Sequence, residues 1–128
     1  MKTDKIVLRF KDKTLLKGHA KDFSPGKKIF HMRLLNGETV MVDVEKLKAV
    51  FFVKRFEGDK DYKYRYKDAL PWGGTRMKVK FSDGEVMIGY TQHHQIIDDG
   101  FFMTPADIKG NNTCVYIIKS STHQVSYL

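Results

Sequence analysis

The chain predicts an all-β fold made of two small five-stranded barrels in tandem, packed together. Three observations lead there. The sequence repeats itself: Ile6-Val-Leu-Arg-Phe-Lys-Asp-Lys-Thr-Leu-Leu-Lys-Gly18 aligns with Met77-Lys-Val-Lys-Phe-Ser-Asp-Gly-Glu-Val-Met-Ile-Gly89, so Phe10, Asp12 and Gly18 fall on Phe81, Asp83 and Gly89. The match runs on from Phe30 and Met32 to Phe101 and Met103, from Val40–Val42 to Val115–Ile117, and from Val50–Val53 to Val125–Leu128. Apolar residues recur with a period of two, as in half-buried strands, and no segment sustains helical periodicity over three turns. Each copy is only about 50 residues, a size at which a lone core is marginal, so the copies are expected to pack together.

Each copy opens on a strand in which Ile6, Leu8 and Phe10, or Met77, Val79 and Phe81, form the apolar face. Asp12-Lys13 and Asp83-Gly84 occupy the hairpin turn that follows, and Asp-Gly is the stronger turn because glycine accepts positive φ. Second strands are expected over Thr14–Ala20 and Glu85–Thr91, each with an interior glycine (Gly18, Gly89) that marks a sharp bend or a close backbone approach. Third, fourth and fifth strands follow over Lys28–Leu34, Glu38–Val44 and Ala49–Phe56, with counterparts at Gly100–Thr104, Cys114–Lys119 and Gln124–Leu128. Asn36-Gly37 is a hairpin turn. Val44–Lys48 reads as a single helical turn and Ser120–Thr122 as a plain turn. Five short strands per copy are the content of an SH3-like or Sm-like barrel. The domain reading is a first barrel over residues 1–56, an aromatic and basic connector over 57–75, and a second barrel over 76–128.

Charge is unevenly spread. Lys and Arg against Asp and Glu count 14 to 6 over residues 1–56, 4 to 4 over 57–75 and 5 to 5 over 76–128, so the net charge of +8 resides in the first copy. A shared fold does not require this asymmetry. It makes Arg9, Lys11, Lys13, Lys27, Lys28 and Arg65 the candidate contacts for an anionic partner, against the plainer reading of a solubilising lysine surface. In the connector, Tyr62, Tyr64 and Tyr66 alternate with Lys63, Arg65 and Lys67. That pattern suits a single-stranded nucleic-acid groove, though the favoured reading is structural, with tyrosines laid over a barrel or the barrel junction and cations facing water. Phe23, the three tyrosines and Trp72 are the candidate partner contacts.

Other chemistry finds little footing. The lone Cys114 excludes an internal disulfide and fits a reducing, cytoplasmic setting. No apolar run approaches the roughly 20 residues of a membrane span. His93-His94, His19, His31 and His123 match no metal-ligand spacing, so no metal or cofactor is expected. There is no nucleophile elbow and no phosphate-binding glycine loop, and a catalytic role is not expected.

Val79-Lys-Phe-Ser-Asp-Gly84 through Gly89 resembles the first motif of Sm-like proteins, which implies barrel topology; the asparagine of that family's RNA loop has no counterpart here. Arg9 with Asp22-Phe-Ser-Pro-Gly26 resembles the cyclic di-GMP motif of PilZ domains, but Lys13 stands in place of the second arginine and the loop is one residue short. Over its whole length the chain resembles an uncharacterised bacterial family associated with PilZ and receiver-type signalling proteins. The residues that carry this are Phe10, Asp12, Gly18, Asp22-Phe-Ser-Pro25, Leu47-Lys-Ala-Val-Phe-Phe-Val53, Asp83-Gly84, Gly89-Tyr-Thr-Gln92 and Gly100-Phe-Phe-Met-Thr-Pro-Ala-Asp107. The functional expectation is a non-catalytic binding or regulatory module acting through protein contacts, with RNA, DNA or cyclic-dinucleotide binding by the basic first copy as the alternative.

Overall fold

A computed structural model describes residues 5–20, 22–56, 75–91, 99–105 and 112–127. Ten strands are present among them: β1 (Lys5–Phe10), β2 (Leu15–Ala20), β3 (Ile29–Leu34), β4 (Thr39–Asp43), β5 (Leu47–Val53), β6 (Thr75–Phe81), β7 (Val86–Thr91), β8 (Gly100–Pro105), β9 (Asn112–Ile118) and β10 (Thr122–Tyr127). The fold is all-β. Its strands form one antiparallel sheet in the order β10-β6-β7-β8-β9-β5-β1-β2-β3-β4. The expected pair of five-stranded barrels packed together is not seen as two closed units in this single open sheet. The second edge of β5 is taken by β9 of the other copy, so the ladder continues between copies and stays open, with β4 and β10 at its ends.

The duplication is nevertheless exact in register. Leu8 pairs with Val50 and Val79 with Val125, while Phe30 pairs with Val42 and Phe101 with Ile117. Each copy carries a bulge at the same place, where Lys48 or His123 is skipped in the pairing to the copy's first strand. Turn hydrogen bonds repeat too: Phe10 N–H donates to Thr14 O at 2.9 Å and Phe81 N–H to Glu85 O at 2.8 Å. A 3₁₀ turn spans Val44–Lys46, as expected, and another spans Lys119–Ser121, where a plain turn was expected. The second turn is held by Ser121, whose hydroxyl lies 2.7 Å from Ile118 O and whose carbonyl accepts from Ser82 N–H at 2.9 Å. At Gly18 and Gly89 a side chain would run into the carbonyls of Arg33 and Thr104, so the neighbouring strand comes too close for any Cβ.

Two hydrophobic cores lie on opposite faces of the central strands. One gathers Ile6, Leu8, Phe30, Met32, Val42, Val44, Leu47 and Val50 of the first copy, and is completed by Tyr116 and Ile118 from β9. The other gathers Met77, Val79, Phe81, Phe101, Met103, Val115 and Ile117, and is completed by Val7, Ala49, Phe51 and Val53 from β1 and β5. Alternation along β5 therefore buries both of its faces. Val7, placed by its period on the polar face of the opening strand, is buried because that face covers the second copy's core.

Candidate functional site

Opposite charges meet across the seam between copies. Lys48 occupies the β5 bulge and is buried; its Nζ lies 2.7 Å from Asp83 Oδ2 and 2.7 Å from Glu85 Oε1, and 4.5 Å from the Phe81 ring centroid. Both carboxylates sit on the β6–β7 turn of the second copy. Lys48 and the Glu85 N–H hold the Asp83 carboxyl below its ordinary range. Arg9 adds a longer contact, 3.6 Å from Glu85 Oε2, with its guanidinium 5.1 Å from the Phe51 ring centroid. Part of the first copy's cationic excess thus serves the join between copies. Sequence reading missed Lys48; the available signal was a lysine inside the apolar run Leu47–Val53.

The other anion-contact candidates disperse. Lys11 donates to Glu45 O at 2.7 Å and to Ser120 Oγ at 2.6 Å. It borders a cleft of about 490 Å³ with Val44, Glu45, Asp99, Ile118, Lys119 and Ser120. Two cations and two carboxylates line that cleft, which gives it no preference for an anion. Lys13 takes a positive φ of 75° in the β1–β2 turn. Lys27 Nζ lies 3.4 Å from Asp22 Oδ2, and Lys28 is exposed beside β3. Arg65, Tyr62, Tyr64, Tyr66, Trp72 and His93-His94 lie outside the described residues.

Asp22 and Phe23 organise the loop before β3. The Asp22 carboxylate accepts from the His31 backbone N–H at 2.9 Å and meets His31 Nδ1 at 2.9 Å. The His31 ring contact, its backbone N–H and Lys27 together hold the Asp22 carboxyl down at about 2. Phe23 packs edge-on against Phe30 and Tyr116, at 5.2 and 5.4 Å between centroids. Arg9 stacks on Phe51, a member of the second copy's core, whereas Phe23 covers the first copy's core on the opposite face. The arginine and the loop that resemble a cyclic-dinucleotide grip therefore do not converge.

Exposed apolar residues mark two further surfaces. Phe102, 41% exposed, lies on Tyr116 and Phe52 at 4.9 and 6.4 Å, giving an aromatic patch at the seam. At the ends of the sheet, Met41 on β4 is 69% exposed and Tyr127 on β10 is 45% exposed. Neither end strand carries Lys, Arg or Pro, the residues that usually protect an edge. Among the described residues no group of three or more His, Cys, Asp or Glu is placed to hold a metal, and no helix is long and apolar enough to cross a membrane.

Residues 2–128 match a protein family of unknown function, DUF6982, and the chain belongs to that family. No curated protein and no solved structure matches it.

Proposed function

We propose that this chain is a non-catalytic binding module that takes up a protein partner by strand addition at the ends of its sheet. The observation that carries this is the pair of end strands, β4 and β10, which lack Lys, Arg and Pro in a chain otherwise rich in lysine and pair with no further strand among the described residues. An extended segment laid on such an edge gains main-chain hydrogen bonds, and exposed side chains such as Met41 and Tyr127 add apolar contact. Each five-stranded unit is read as an SH3-like barrel opened on one side to its twin, and the setting as regulatory, in the bacterial cytoplasm. Nucleic-acid or cyclic-dinucleotide binding by the first copy has less support, because Arg9 and Lys27 already face carboxylates.

The test is a photo-crosslinking amino acid at Met41 or at Tyr127 in living cells, with Ser82, exposed in the β6–β7 turn, as the control position. Protein adducts are expected at both edges and not at Ser82. Absence of any protein adduct at either edge overturns the reading. Binding of oligonucleotides or cyclic dinucleotides that weakens steeply with salt would instead favour the anionic alternative.

A further inference from the structure

We infer that the partner at these edges is a second copy of this chain, with β10 of one molecule pairing antiparallel to β4 of the next. The inference rests on the strand-addition reading above and names its occupant. The chain already contains the join once. At the seam, the fifth strand of the first copy pairs with the fourth strand of the second: Ala49 with Ile117, Val50 with Tyr116, Phe51 with Val115 and Phe52 with Cys114. The two strands left at the ends are the remaining fourth strand, β4, and the remaining fifth strand, β10. They are the complementary halves of the same join.

Register carries over residue by residue. Val50 and Val125 hold the same place opposite Leu8 and Val79, and Met41 and Tyr116 the same place opposite His31 and Phe102. An intermolecular join built on this template pairs Val125 with Met41, Ser126 with Val40 and Tyr127 with Thr39. Met41, 69% exposed, is the counterpart of Tyr116, which the seam buries to 2%. Asp43 and His123 are the only acidic or basic side chains on the two strands, and extending the register by one residue sets them opposite each other, so no like charges oppose the pairing. The contact is heterologous: each molecule keeps one free β4 and one free β10, and growth ends in a ring or an open filament.

Its strength is limited by the outer faces. Where the seam presents Val7, Ala49 and Phe51 to the other copy's core, the end of the sheet presents Lys78, Gln124 and Ser126. The intermolecular join lacks that apolar layer, so the expected dissociation constant is weak, on the order of 10 to 1,000 μM, and assembly is reversible.

The test uses the purified full chain. Its mass in sedimentation equilibrium should rise with concentration, and Met41→Lys should abolish the rise while leaving the thermal midpoint unchanged. In a Cys114→Ala background, a Met41→Cys chain mixed with a Val125→Cys chain should form a disulfide-linked pair. Mixing Met41→Cys with Ser126→Cys should give about tenfold less, because a one-residue slip turns the side chain to the other face. A chain that stays monomeric up to about 1 mM, or cross-links indifferent to register, overturns self-pairing. If such a monomeric chain still captures a different protein through Met41 or Tyr127 in cells, self-pairing fails and the strand-addition reading stands; if it captures none, both fail.

Discussion

The two copies share every strand pairing and the same bulge, yet their fifth strands face opposite surroundings. On β5 the residues turned away from its own copy's core are Ala49, Phe51 and Val53, all buried against the second copy. On β10 the corresponding places hold Gln124 and Ser126 within the described residues. At the bulge, the first copy has the buried Lys48 with two carboxylate partners, and the second has the exposed His123. The backbone plan belongs to the repeat. What decides whether a given edge becomes an interior join or an end is a handful of side chains on the strand's outer face.

Exchanging those side chains should break the comparison most sharply. Phe51→Ser gives β5 the residue that β10 carries, and should destabilise the protein by about 3 to 4 kcal/mol in urea unfolding through lost burial and a cavity. The reciprocal Ser126→Phe should leave the monomer's stability within about 0.5 kcal/mol and strengthen self-association. Equal costs at the two positions would mean that the outer faces are not what distinguishes seam from end. At the bulge, Lys48→Ala should cost about 2 kcal/mol, since it removes two charged hydrogen bonds and the stem packed on Phe81. His123→Ala should cost no more than about 0.5 kcal/mol in the same assay.

The first turns test the comparison more gently. Lys13 adopts a φ of 75° where its counterpart Gly84 adopts 94°. Lys13→Gly is expected to raise stability by up to about 1 kcal/mol, and Gly84→Lys to lower it by about the same, read as shifts in thermal midpoint. The smallest effect belongs to the loop before β3. The Asp22 carboxyl titrates at about 2 in the folded chain, below the ordinary value, so its contribution is full above that ordinary value and disappears as pH falls toward 2. The His31 amide resonance should follow this titration, and Asp22→Asn should abolish the movement. A His31 midpoint near 4 would show that the carboxylate gains nothing from its partners.

Much of the fold was legible because it was written twice. Phe10 with Phe81, Gly18 with Gly89 and Met32 with Met103 fix equivalent strands, and the Asp-Gly and Asn-Gly turns fix the hairpins between them. The pairing of β5 with β9 was not legible, since period-two reading assigns each strand one buried face and β5 has two. Lys48 went unrecognised for a related reason: a lysine in a strand is taken as solvent-facing, and only the position of Asp83 and Glu85 across the seam reverses that. Among the candidate site residues, Arg9, proposed for its charge, and Phe23, proposed as an apolar contact, also fall within one motif-like resemblance, but the sheet passes between them, and spacing along a chain cannot report which face of a sheet a residue reaches.

The exchange of Tyr116 and Ile118 into the first copy's core also sets an order in time. β1 to β5 can form their local hairpins as soon as they are synthesised, but the core around Phe30 and Leu47 is closed by residues made more than half a chain later. Until then the nascent first half carries an uncovered apolar surface and a β5 paired on one edge only, to β1, the two features that make a partly made protein adhesive. Pairing of β5 with β9 is a long-range contact, and in making it the second copy covers both the open edge of β5 and the first copy's core.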